Sequence, residues 1–196
     1  MPTVNRNTLL LAAVAGAIYL ICQIILAAMD ADWIMGERDW SLNTKIVFAT
    51  LTVMMLVSYV LFFRGFIALT TLFPNPLLKT ISIMLIISTA GVSVLDLTSL
   101  AIDDPESLWL AYAATAMLFG ALSIALGVGL TRLQDGMGEL CRVAGILEIV
   151  TGCLLVTVVL FFVAFVIMVP AVVVEILILI RGYEYLSKSS VQSVPA

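Results

Sequence analysis

The chain has 196 residues, of which 63% are hydrophobic and 11% charged, with a formal net charge of −4 and no histidine. An ordinary soluble domain is about half apolar and a quarter charged. Nine Lys and Arg with thirteen Asp and Glu therefore cannot clothe a soluble globule, and lipid must cover most of the surface.

The first apolar run, 8–28, is interrupted only by Tyr19 and Gln23 among its long side chains and has the roughly twenty residues that a spanning helix needs. It exceeds the apolar core of a signal peptide, about 7 to 15 residues, and no convincing A-x-A site follows, so it reads as an anchor. Ala12, Gly16, Tyr19, Gln23 and Ala27 give this span a small and partly polar face. Between 29 and 44 the chain turns acidic, with Asp30, Asp32, Glu37, Arg38 and Asp39 around Trp33 and Trp40. Indoles favour the boundary between lipid and water, so an acidic loop with headgroup-level anchors is expected there.

A second span is expected over 45–66, apolar except for hydroxyls and Arg64, and Pro74, Asn75 and Pro76 form a turn that no helix continues through. The third, 79–102, is broken by Asp103, Asp104, Pro105 and Glu106. The fourth, 108–132, leads into a polar connection that contains Gly136 and Gly138. On the fourth span Ala113, Ala116, Gly120, Ser123 and Gly127 recur at intervals of three and four, a small-residue stripe that lets a neighbouring backbone approach.

The remaining apolar stretch, 143–180, would make one straight helix of about 57 Å, whereas the hydrocarbon layer is about 30 Å thick. Two antiparallel spans are expected, 143–164 and 170–186, with a tight reversal between Phe165 and Pro170 and with Pro170 in the first turn of the last helix. A single kinked helix, leaving five spans, is the alternative. Cytoplasmic ends carry excess Lys and Arg. Six spans with the N-terminus inside place Arg6, Lys79, Arg132, Arg142, Arg181 and Lys188 on the inner side, leaving Arg38 and Lys45 outside. The expected fold is thus an all-α polytopic transmembrane bundle, a single domain over 1–186 with a short cytoplasmic tail over 187–196 and both termini in the cytoplasm. Size and loop economy suggest a bacterial plasma membrane.

Ionisable groups inside the bilayer are candidate functional residues by default. Glu148 lies six residues after Arg142 and Glu175 six before Arg181, so antiparallel neighbours would hold both at matching depth, about 9 Å inside one boundary. Two carboxylates at one depth repel, and Arg64, about twenty residues into the second span, is the candidate cation to join them. A structural polar cluster locking the second, fifth and sixth spans is the first reading of this trio, and proton or ion handling the second. Ser82, Thr89, Ser93 and Asp96 share one face of the third span, either as interhelical hydrogen bonding or as the border of a hydrated path.

Without His, the commonest metal ligand and the usual general base near neutral pH are missing. No Walker A loop, dinucleotide fingerprint, nucleophile elbow, C-x-x-C or H-E-x-x-H occurs, so no cofactor, metal or catalytic residue is assigned. The few basic residues form no stripe for nucleic acid. Cys22, Cys141 and Cys153 are odd in number, and no structural disulfide is expected. These features point first to a non-catalytic membrane subunit or accessory protein with a membrane-protein partner or a homo-oligomeric state. The alternative is a small transporter or channel for protons, cations or a small solute that uses the intramembrane carboxylates. An intramembrane enzyme acting on lipid comes third, since it lacks a recognisable nucleophile.

Overall fold

A computed structural model describes residues 6–34, 40–102, 106–157 and 160–192. Glu37, Arg38, Asp39, Asp103, Asp104, Pro105 and 193–196 lie outside the described residues, as do the side chains of Asp30, Asp32, Trp33 and Glu106, and with them the acidic-loop assignments and the anchor role of Trp33.

Every described element is helical: α1 (Arg6–Ile34), α2 (Leu42–Leu72), α3 (Pro76–Ser99), α4 (Glu106–Thr131), the short α5 (Gln134–Met137), α6 (Glu139–Val156) and α7 (Phe161–Gln192). Local chemistry fixes several of these ends. Ser41 caps α2, its hydroxyl accepting from the Thr44 N–H at 3.2 Å. Asn75 caps α3, its Oδ1 accepting from the Leu78 N–H at 3.1 Å, and Pro76 occupies the first turn, where its missing N–H leaves nothing unpaired. Gly138 adopts φ +86°, a left-handed conformation open to glycine, and so separates α5 from α6.

Five helices, α1, α2, α3, α4 and α7, are long and apolar enough to cross a membrane. Their outward faces are rich in apolar side chains, among them Ile21, Val57, Ile87, Leu110 and Val166, each more than half exposed. A helix in lipid satisfies its own backbone and can face outward with such residues. The protein is an all-helical polytopic membrane bundle. The sixth long helix, α6, has 18 residues and carries Glu139, Arg142 and Glu148. Its length, about 27 Å, approaches the hydrocarbon thickness.

The six long helices form a closed ring in chain order. Each packs on the next, α1 on α2, α2 on α3, α3 on α4, α4 on α6 and α6 on α7, and α7 returns to α1. Neighbours run antiparallel. At one end Gly182 of α7 lies against Leu9 of α1, Leu69 of α2 and Met137 of α5, while the Asn75 amide donates to the Gly129 carbonyl of α4 at 2.8 Å. Lys79, Arg132, Arg142 and Arg181 sit exposed toward this end, termed here the basic end. At the other, the Lys45 ammonium donates to the Leu100 carbonyl at the close of α3, at 3.2 Å, a favourable place for a cation because helix carbonyls are unpaired there. Helix α1 ends and α2 begins at this end, as α3 ends and α4 begins, and it is termed here the acidic end after the acids that separate these helices in the sequence.

A close seam joins α4 and α6. A Cβ added to Gly120 would lie 2.7 Å from the Gly152 carbonyl oxygen, and one added to Gly127 would lie 2.5 Å from that of Gly145. The reciprocal contacts are equally tight, so four glycines bring two backbones together, as dispersion-driven association in lipid favours. The Gly120 and Gly127 part of the expected stripe therefore faces α6. Ser123 and the half-buried Ala113 and Ala116 complete the stripe, and Ala12, Gly16 and Tyr19 of α1 are buried in the same manner.

The reversal within 143–180 differs in position from the expectation. Helix α6 ends at Val156 and α7 begins at Phe161, so Pro170 lies inside α7 rather than in its first turn. The physical reason is the start of α6. Glu139, Cys141 and Arg142 belong to the helix, which begins directly after Gly138, so its length is complete by Val156. Thr157 closes it with its hydroxyl donating to the Leu154 carbonyl at 2.7 Å, which supplies the polar satisfaction that a turn without Gly, Asn or Asp otherwise lacks. Helix α7 also continues to Gln192, over 187–192 of the stretch 187–196 read as tail.

Candidate functional site

A closed ring of helices has an axis, and the polar residues gather on it. Glu148 of α6 and Glu175 of α7 are buried to 5% and 2% exposure, close enough that each acts electrostatically on the other. Their convergence follows from antiparallel packing of α6 and α7, since residues at equal distance from Arg142 and Arg181 meet at one depth. The remaining helices add one or more groups to this level. Tyr19 of α1 and Tyr59 of α2 meet edge to face with ring centroids 5.0 Å apart, both buried and both within electrostatic range of the two carboxyls. Ser123 of α4 lies beside the Glu148 carboxyl. Thr89 of α3, beside the Tyr59 phenol, and Thr151, one turn beyond Glu148 on α6, are buried at 5% and 2%. All six long helices thus reach the cluster.

Arg64 does not join it. It sits on an exposed face of α2, five residues past Tyr59, and among the described residues neither Glu148 nor Glu175 forms an ion pair. The helical phase explains this, because Tyr59, Phe62, Phe63 and Phe66 occupy the inward face of α2 and Arg64 falls between them on the outward one. The buried carboxyls therefore have each other, two phenols and hydroxyls for company. Two carboxylates without a basic partner would repel strongly in a low-dielectric interior if both were ionised.

Hydrogen bonding at the cluster is incomplete. Glu175 Oε1, Thr89 Oγ1, Ser93 Oγ and Thr151 Oγ1 are buried without a partner among the described residues. Most buried polar atoms in folded proteins are paired, and these four, on α3, α6 and α7, keep unused donor or acceptor capacity. The line on α3 runs along this set. Ser82, fully buried, donates to the Leu78 carbonyl at 2.7 Å, Thr89 and Ser93 point inward unpaired, and half-buried Asp96 accepts from the Tyr112 phenol of α4 at 3.1 Å.

Tyr59 and Thr151 were not singled out from the sequence. Thr151 stands three residues after Glu148, a spacing that shares its helical face and gives a usable signal. Tyr59 sits in a run of apolar and aromatic residues, where period alone does not mark it as polar in role. The cluster holds no nitrogen or sulfur ligand, and among the described residues no group of three or more His, Cys, Asp or Glu side chains could hold a metal ion. Cys22, Cys141 and Cys153 are free thiols. No family model, curated protein or solved structure matches the chain, so the site is read on its own chemistry.

Proposed function

We propose that the chain crosses a bacterial plasma membrane six times with both termini in the cytoplasm, and that the carboxyl pair on its axis reversibly binds a proton or a small cation, so that the protein acts as a transporter or channel. One observation carries this reading: Glu148 and Glu175 are buried together without a basic partner, and one oxygen of Glu175 has no hydrogen bond. Intramembrane carboxyls are costly and mark ion and proton paths. A saturated structural cluster would leave no oxygen unpaired, because unsatisfied buried polar groups destabilise by about 1–3 kcal/mol each.

The six-crossing topology is supported by the antiparallel ring, in which α1 begins and α7 ends at the same basic end. An accessory membrane subunit, the first expectation from the sequence, rests on short connections and the missing catalytic constellation. The unpartnered carboxyl and hydroxyls favour the cation reading over it.

The test is flux through the purified protein in liposomes loaded with a pH-sensitive dye, with a potassium diffusion potential imposed and with NaCl or KCl added outside. Wild type should move protons or exchange them for the added cation, and Glu148→Gln with Glu175→Gln should abolish this. Wild-type traces equal to those of protein-free liposomes would overturn the proposal.

A further inference from the structure

The cluster is not placed symmetrically along the axis, and the two halves of the bundle differ in how they would admit water. Toward the basic end the large apolar side chains are sealed. Phe62, Phe66 and Leu69 of α2, Leu126 and Leu130 of α4 and Ile178 of α7 all lie below 3% exposure, and each follows its helix's cluster residue in the direction of that end. The polar groups there are satisfied internally, Ser82 by the Leu78 carbonyl and Thr70 by that of Ile67 at 2.7 Å. Among the described residues, no buried side-chain oxygen of that half is left without a partner.

Toward the acidic end the pattern reverses. Ser93 lies about 6 Å beyond Thr89 along α3, and Asp96 about 4.5 Å further. Thr89 and Ser93 hold unpartnered hydroxyls, Thr151 adds a third from α6 on the same side of Glu148, and Asp96 with Tyr112 closes the line where the helices end. Unpaired hydroxyls at steps of one helical turn are what a file of water molecules or a partly dehydrated cation would use.

We infer that the carboxyl pair is filled from the acidic end of the bundle, along the Thr89, Ser93 and Asp96 face of α3, and is separated from the basic end by the Phe62, Phe66, Leu126 and Leu130 layer. The ligand is a small hydrophilic cation or a proton. It enters past Asp96, is passed along hydroxyl oxygens, and meets the carboxyls, while the apolar layer must part before release on the basic side. Alternating access is largely a rocking or gating of one part of a bundle against another around a fixed site. This rests on the cation reading above and specifies the side from which the site is filled.

Thiol accessibility tests it without requiring any transported ion. In full-length protein with Cys22, Cys141 and Cys153 replaced by Ala, single variants Thr89→Cys and Ser93→Cys are exposed to a membrane-impermeant cationic methanethiosulfonate added to either face of sealed vesicles. Asn43→Cys marks the acidic end and Lys79→Cys the basic end. Reaction follows solvent access of the thiolate, so both test variants should react at least about tenfold faster from the Asn43 face. Ser82→Cys should react from neither. Equal or faster reaction from the Lys79 face, or no reaction of Thr89→Cys and Ser93→Cys from either, would overturn the inference. Ser93→Cys, a near-isosteric change, keeps the test decisive if Thr89→Cys does not assemble. One-sided labelling with silent flux would sink the transport reading and keep the access route; carboxylate-dependent flux with unreactive thiols would do the opposite.

Discussion

Replacing Gly127 by Ala probes the seam that holds the ring closed. The new Cβ would lie 2.5 Å from the Gly145 carbonyl oxygen and 2.7 Å from Ile149 Cγ1, whereas ordinary contact begins at 3.4 Å, so α4 and α6 must separate by about 0.9 Å. The first clash is with backbone, which cannot swing aside as a side-chain tip can. Overpacking of this kind destabilises by about 1–3 kcal/mol, partly offset by the gain of about 1 kcal/mol in helix propensity. Gly91 on α3 provides the reference, since a Cβ there meets nothing within 4 Å and only the propensity gain remains. The propensity terms cancel between the two variants, so Gly127→Ala should be less stable than Gly91→Ala by the overpacking term itself, about 1–3 kcal/mol. Unfolding by SDS in mixed micelles, followed by helicity, measures the difference. Combining Gly127→Ala with Gly145→Ala should destabilise by less than the sum, because the first substitution already opens the seam that the second needs. Equal midpoints for Gly127→Ala and Gly91→Ala would refute the close contact of α4 with α6.

Asn75→Ala removes both the cap of α3 and the amide bond to the Gly129 carbonyl, so unfolding in the same assay should show a loss of about 2–3 kcal/mol. Arg64→Gln should leave flux unchanged and stability within about 0.5 kcal/mol, because the side chain is exposed and away from the carboxyls; a large loss of flux would restore the guanidinium to the site. Glu175→Gln should abolish flux in liposomes while leaving stability equal to or above that of wild type, since a neutral isostere removes an uncompensated buried acid. A strong loss of stability instead would mark Glu175 as a structural hydrogen-bonding residue.

Long apolar runs made the helices legible because each must find lipid along its whole length, and the prolines at 74 and 76 and the acids after Ile102 marked the ends of α2 and α3 without any tertiary information. The meeting of Glu148 with Glu175 was also legible, since distance from Arg142 and Arg181 sets depth and depth is shared by antiparallel neighbours. Two things were not. The reversal before Phe161 depends on where α6 starts, and that is fixed by the φ of Gly138, a backbone property that composition does not display. The assignment of Arg64 failed because depth was matched and azimuth was not: a residue at the correct level still faces outward if its helical phase is opposite to the ring's axis. Tyr59 took the inward position instead, hidden among aromatic neighbours whose burial looks the same from sequence.

The central claim is that Glu148 and Glu175 together hold a positive charge at the bundle axis and exchange it. Infrared difference spectroscopy of the carboxyl groups reads this directly, in wild type and in the Glu148→Gln, Glu175→Gln double variant with Asp96 intact. The account predicts a carboxylic C=O band that appears and disappears reversibly as pH is cycled or as NaCl or KCl is added, present in wild type and absent from the double variant. A wild-type carboxyl spectrum indifferent to both pH and added cation would contradict it.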